Sequence, residues 1–201
     1  MASSGTTSFN ITIDEVIEEA YERCGVRTNS GNDIRSARRS LNLLFSEWGN
    51  RGINLWKVKS KTETLVNGQV TYNTPSDCND VLEAVVTVSG GTQQSLTKIS
   101  RSEYIAIPNK TATGTPSQYY VDRQITPTIS LYLAPDTSAV TNIFYYYLAR
   151  IEDAGAYTNT TDMPFRFFPC MVSGLAFYLS QKIAPDRVQA LKLLYEDELK
   201  R

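Results

Sequence analysis

Apolar residues recur at helical spacing near the start of the chain, where Ile13, Val16, Ile17, Ala20, Tyr21 and Cys24 fall on one stripe. Thr12 followed three residues later by Glu15 is a capping-box signature, and Gly25 stands where a helix C-terminus favours a residue able to take positive φ. A second stripe starts near Asp33 and carries Ile34, Ala37, Leu41, Leu44, Phe45 and Trp48, with Gly49 or Gly52 as its stop. The stretch "SLNLLFSEWGNRGINLWKV" therefore sets a tryptophan on each side of a Gly-Asn-Arg-Gly break. Two exposed rings there could sandwich a ligand, but the stripe turns Trp48 inward and gives Trp56 to the element that follows. The break reads as a hinge between two architectures.

After Gly52 the period changes from 3.6 to 2, and Thr, Val and Tyr become frequent. Leu55 to Leu65 and Gln69 to Asn73 flank Asn67-Gly68, a strong local hairpin signal, and Val81 to Val88 and Ser95 to Ile99 flank Ser89-Gly90-Gly91. A helical turn around Ser102 to Ile107 precedes strands expected at Gln118 to Arg123, Thr128 to Leu133 and Asn142 to Arg150. Helical spacing then returns. Asp162 can cap a helix opened by Pro164, with Phe165, Phe168, Val172, Leu175, Ala176 and Leu179 inward and a kink or reset at Pro169. A last helix after Ala184-Pro185 turns Val188, Leu191, Leu194, Tyr195 and Leu199 inward. The expected fold is α+β: a four-helix bundle formed by N- and C-terminal helix pairs, with an inserted antiparallel β-sandwich or partly closed barrel. The expected division is 1–52, 53–161 and 162–201.

Composition narrows the field. The 201 residues are 41% hydrophobic and 20% charged, and a formal net charge of -1 gives no overall attraction to nucleic acid or an anionic membrane. No segment approaches the roughly 20 apolar residues of a membrane span, and "MASSGTTS" has neither a basic nor an apolar leader, so the chain is expected to be made in the cytoplasm. Cys24, Cys78 and Cys170 form no CxxC pair and signal neither a disulfide framework nor a zinc site. The glycosylation triplets at Asn10, Asn109 and Asn159 are chance matches in that context.

Catalytic motifs are missing. The sequence has no histidine, which removes Ser-His-Asp and Cys-His arrangements and the HExxH metalloproteases, and it has neither GxxxxGK[ST] nor GxGxxG. Neither a cofactor nor a metal is implied. Acidic pairs such as Asp14-Glu15, Glu18-Glu19 and Glu152-Asp153 could serve a glycosidase, but most lie on expected helix surfaces, where adjacent positions diverge. In Phe144-Tyr145-Tyr146-Tyr147, alternate residues of a strand face opposite sides, so Phe144 and Tyr146 share one face and Tyr145 and Tyr147 the other. Core packing is the plainer reading of that run, and of Tyr119-Tyr120.

One charge pattern remains. The first helix exposes Glu15, Glu18, Glu19 and Glu22, and the second exposes Arg35, Arg38 and Arg39. These could pair within one molecule, join one molecule's acidic helix to a neighbour's basic helix, or, for the arginines, face DNA phosphates.

A resemblance now bears on the choice. An arginine-bearing helix ending in "LNLLFSEWGNRGINLW", then "ETLVNGQVTYNTPSD", "LTKISRSEYIAIPN", "GTPSQYYVDR", "ISLYLAPD", "IFYYYLARIED" and the closing "MPFRFFPCMVSGLAFYLSQKIAPDRVQALKLLYEDELKR" resemble the head-to-tail adaptor proteins of short-tailed bacteriophages, also called tail accessory or tail tubular proteins. The likeness covers nearly the whole chain, in marks of fold and not of catalysis. It implies a non-enzymatic virion protein that forms a dodecameric ring below the portal protein, passes double-stranded DNA through its lumen and receives the tail nozzle protein. Under it the seven charged residues above are subunit-interface residues. Glu196, Glu198, Lys200 and Arg201 would bind the portal, and Asn67, Gly68, Lys110 and Thr113 the nozzle. The competing expectation is a glycan- or ligand-binding β module on exposed tyrosines; an enzyme built from carboxylates and tyrosines is the third.

Overall fold

The computed structural model describes residues 5–7, 9–27, 31–53 and 55–201. The chain forms two compact units, Met1–Trp56 with Ile151–Arg201, and Lys57–Arg150.

The helical unit begins with α1 (Ile13–Cys24), entered through the Thr12–Glu15 capping box and closed by Gly25 at φ +76°. Helix α2 (Gly31–Asn50) buries Ala37, Leu41, Leu44, Phe45 and Trp48, and a 3₁₀ turn at Leu55–Lys57 ends the N-terminal part. On the return, a 3₁₀ turn at Phe165–Phe167 leads into α4 (Phe168–Ile183), with Pro169 in its first turn, where a missing N–H removes no helical bond. Pro185–Arg187 then leads into α5 (Val188–Lys200).

The expected four-helix bundle of two terminal pairs around an antiparallel sandwich or barrel does not form. The described residues hold five helices and ten strands in three sheets, with the strands in the middle of the chain. The reason lies in α4, whose ten buried residues run round most of its circumference instead of along one stripe. It contacts α1, α2 and α5, so the unit is organised around one central helix. Gly174 permits this close approach: a Cβ there would lie 2.8 Å from a Leu44 methyl and 3.0 Å from the Tyr195 ring. Two residues expected inward stay out, Phe165 at 71% exposure and Leu194 at 54%. Asp162, expected to cap a helix, instead accepts the Glu152 N–H at 3.3 Å, and Pro164 takes the cap position of the turn.

In the β unit, β1 (Val58–Thr64), β3 (Cys78–Val88), β4 (Gln93–Ser95) and β10 (Val140–Ala149) form a sheet ordered β1-β10-β3-β4. A second sheet, β2-β8-β7-β5, is built from β2 (Thr71–Asn73), β5 (Thr97–Lys98), β7 (Gln118–Asp122) and β8 (Thr128–Tyr132). Between β5 and β7 comes the short helix α3 (Arg101–Ala106), and β6 (Thr113–Gly114) pairs with β9 (Ala134–Pro135). Pairing is antiparallel except in β5–β7 and β6–β9, a further departure from an antiparallel module. Asn67-Gly68 makes a turn but not a hairpin. β1 pairs with β10 and β2 with β8, so the chain changes sheets across the turn. Side chains of both sheets meet in one core, with Tyr119, Tyr145, Ile129, Leu131 and Ile143 at its centre. The alternation expected of the aromatic run holds: Tyr145 and Tyr147 are buried, whereas Tyr146 is 46% exposed.

Candidate assembly surfaces

The tryptophan pair belongs to the helical unit. Trp48 is wholly buried and its indole N–H donates to the Tyr195 hydroxyl at 2.8 Å. Trp56 packs 4.5 Å from the Phe167 ring, which also meets Trp48 edge-on at 5.8 Å. Both indoles are thus held by one phenyl ring, and no sandwich site opens between them. Glu47 extends this network. It accepts the Tyr178 hydroxyl at 2.9 Å and the Tyr195 hydroxyl at 3.5 Å, and it pairs with Arg51. Burial, and then the Glu47 carboxylate, push the Tyr178 phenol up to about 12.

The seven charged residues of α1 and α2 divide into engaged and free. Glu15 accepts the Thr12 N–H and hydroxyl, each at 2.8 Å, and the Thr12 N–H holds its carboxyl below the usual range. Glu19 takes Arg23 at 2.9 Å. Arg38 donates to the Gly155 carbonyl at 3.2 Å and lies 5.6 Å over the Tyr157 ring. Among the described residues Glu18, Glu22, Arg35 and Arg39 are exposed and form no ion pair, and Arg35 donates at 3.4 Å to the Gly31 carbonyl of its own helix. None of the four glutamates pairs with any of the three arginines.

Glu196, Glu198, Lys200 and Arg201 gather at the C-terminal end of α5, where Glu196 meets Lys192 at 3.7 Å and Glu198 meets Arg201 at 3.1 Å. In the β unit, Asn67, Gly68 and Thr113 converge on β9 and the turn after it. The Gly68 N–H donates to the Pro135 carbonyl at 2.9 Å, Asn67 accepts the Thr137 N–H at 3.3 Å, and Thr113 pairs with Ala134. Lys110 does not join them. Its ammonium donates to the Ile105 and Ile107 carbonyls at 3.2 and 2.9 Å, closing the end of α3, and sits 5.5 Å over the Tyr104 ring.

Two surfaces escaped the sequence. A groove of about 440 Å³ runs beside α1, walled by Phe9, Ile11, Phe165, Phe168 and Val172 and edged by Glu15, Glu19 and Arg23. A cleft of about 520 Å³ in the β unit is lined by Lys98, Arg101, Tyr120 and Arg123, but Asp80 already takes Lys98 at 2.9 Å and Arg123 at 2.7 Å. The groove had one signal: Phe9 is a large apolar residue outside any periodic stripe. Tyr119, Tyr145 and Tyr147 are too buried to offer ring faces to a glycan.

Among the described residues no group of three or more His, Cys, Asp or Glu could hold a metal ion, and no helix is long and apolar enough to cross a membrane. No curated protein matches the chain. The model of one family, described as SU10 adaptor protein, matches residues 11–201 and so spans both units.

Proposed function

The chain belongs to the SU10 adaptor protein family, a phage head-to-tail adaptor family, and on that premise we propose that it forms the ring joining the portal to the tail nozzle. A phage adaptor is a structural component of the virion that works against portal and tail proteins, not an enzyme. The finer proposal is a closed, dodecameric ring whose lumen passes double-stranded DNA. The observation that carries it is the family match across both units. The exposed charges of α1 and α2 support it, since a heterologous contact between unlike faces closes into a ring when the rotation allows. A near-neutral chain suits a channel through which DNA must slide.

Within this proposal the C-terminal end of α5, with Glu196, Glu198, Lys200 and Arg201, meets the portal. The surface around β9, with Asn67, Gly68 and Thr113, meets the nozzle, and Lys110 shapes the neighbouring α3 end. Glu15 and Glu19 support the subunit interface by fixing their own helix, Arg38 supports it by tying α2 to Gly155 and Tyr157, and Glu18, Glu22, Arg35 and Arg39 make its contacts.

The test is electron cryo-microscopy of the purified chain mixed with portal rings. The expected result is a second ring of this chain, twelvefold in projection, stacked on one face of the portal. Chains that stay monomeric at every portal concentration would sink the proposal.

A further inference from the structure

Asn67-Gly68 is the one Asn-Gly dipeptide in the sequence, and the β unit holds it in a defined geometry. The Gln69 N–H donates to the Val66 carbonyl at 3.1 Å, Gly68 has φ +72°, and among the described residues none but glycines have positive φ. Those features belong to a type II turn with Asn67 in its first central position. Two more hydrogen bonds tie the turn down. The Gly68 N–H donates to the Pro135 carbonyl at 2.9 Å, and the Asn67 Oδ1 accepts the Thr137 N–H at 3.3 Å. Both partners stand on β9 or just after it, where Asp136 fixes the next turn by accepting the Ala139 N–H at 2.9 Å and the Ser138 hydroxyl at 2.7 Å. Asn67, Gly68 and Thr137 are all exposed, so water reaches them.

An asparagine followed by glycine is chemically labile, because glycine puts no side chain in the way of the backbone nitrogen that attacks. The Gly68 nitrogen, giving up its proton, bonds to the Asn67 Cγ; the bond from Cγ to the side-chain nitrogen breaks, and ammonia leaves with that proton. The cyclic succinimide then takes up water, at Cγ to give aspartate or at the Asn67 backbone carbonyl carbon to give isoaspartate. In total one amide and one water become one carboxyl group and one ammonia. We infer that Asn67 is such a modification site, that the closed turn locks it, and that deamidation irreversibly marks the chains in which the turn has opened. Three features make the lock. A type II turn sets Asn67 at ψ of about +120°, about 120° from the angle at which the Gly68 nitrogen eclipses Cβ and can reach Cγ. The Gly68 proton is held by the Pro135 carbonyl instead of being free to leave. The Asn67 carboxamide is held by the Thr137 N–H against the rotation that would bring Cγ to the nitrogen. Isoaspartate adds one carbon to the main chain, which the span closed by the Gln69 and Gly68 bonds does not fit, so a modified turn does not relock.

The test uses the full chain alone and does not depend on the ring reading. The chain is incubated with and without urea at one pH and temperature, and fragmentation mass spectrometry follows the conversion of Asn67 to aspartate and isoaspartate. A hydrogen bond of this kind favours the closed form about fivefold. Two of them should make the folded chain react about 30-fold more slowly than the unfolded one. Thr137→Pro removes the N–H that holds Asn67, at the first central position of a turn, a place that proline suits. The folded variant should therefore deamidate about fivefold faster than the unsubstituted chain, with its melting temperature unchanged. In urea the two chains should react at one rate. Equal rates with and without urea for the unsubstituted chain would overturn the lock, and so would a folded Thr137→Pro chain no faster than the unsubstituted one. The urea comparison decides the lock even where Thr137→Pro does not fold. Aspartate formed with no isoaspartate would overturn the succinimide route.

Discussion

In the β unit, Asp77 takes Lys59, Asp80 takes both Lys98 and Arg123, and Glu63 takes Lys61. The helical unit has ion pairs of its own, but among the described residues its exposed Glu18, Glu22, Arg35 and Arg39 form none, although opposite charges lie on neighbouring helices. Exposed pairs contribute little to stability, so this contrast concerns what the surfaces do more than how firmly the units fold. Complementary charges left open on two faces of one unit suit contact between copies.

The cores differ as well. The helical unit gathers Trp48, Tyr178 and Tyr195 around Glu47, a carboxylate that also reaches Arg51 at the surface. The β unit settles two of its buried phenols on backbone: Tyr119 donates to the Leu82 carbonyl at 2.9 Å, and the Tyr72 oxygen accepts the Val66 N–H at 2.9 Å. Trp48→Ala should break the first arrangement most severely. It empties a wholly buried site and strips the Tyr195 hydroxyl of its indole donor, at a cost of about 3–5 kcal/mol in denaturant unfolding of the helical unit. A loss below about 1 kcal/mol would mean that Trp48 is not central to this core.

Raising the pH should strain both cores. Burial, and then nearby acids, push Tyr119 up to about 12, as burial and Glu47 do for Tyr178, and burial raises Tyr145 and Tyr195 further still. A phenol whose pKa is higher folded than unfolded stays neutral in the native state while the unfolded chain ionises. Stability from these groups is therefore complete below about pH 10 and declines as pH rises through the folded values. Spectrophotometric titration should show these four phenols ionising above the range of an unperturbed tyrosine. A single ionisation step near pH 10 in the folded protein would contradict their burial.

Elements with local signals were legible in the sequence. Helix α1 could be bounded because Thr12, Glu15 and Gly25 act within a few residues of its ends, and strand β10 because alternation alone assigns Tyr145 and Tyr147 to one face. Pairing was not legible. Asn67-Gly68 is a sound local turn, but β1 takes β10, whose paired residues lie 78 (Thr64 to Asn142) to 90 (Val58 to Leu148) positions away, over its sequence neighbour β2. Periodicity tells a residue which way it faces and not whether a partner arrives, so Phe165 and Leu194 fit their stripes and stay exposed. The architecture depended on α4, whose small residues Ser173, Gly174 and Ala176 let neighbours close in from several sides. For the candidate site, the seven charges of α1 and α2 could be named from spacing. Which were free could not, since Arg38 is engaged by a carbonyl 117 residues away.

The sharpest contrast lies between two tyrosines in one core. Tyr119 and Tyr145 are each 1% exposed, but Tyr119 has the Leu82 carbonyl as acceptor, and the Tyr145 hydroxyl has no hydrogen-bond partner among the described residues. Removing the Tyr119 oxygen leaves the Leu82 carbonyl short of one donor, so Tyr119→Phe should cost about 1 kcal/mol. Removing the Tyr145 oxygen deletes a buried polar atom that gains nothing from its surroundings, and the ring keeps its packing, so Tyr145→Phe should change stability by less than about 0.5 kcal/mol or raise it. Chemical denaturation of the two variants under one condition decides the matter. Equal losses would mean that the Tyr145 hydroxyl has a partner after all, and the claim that this core tolerates an orphan phenol would go with it.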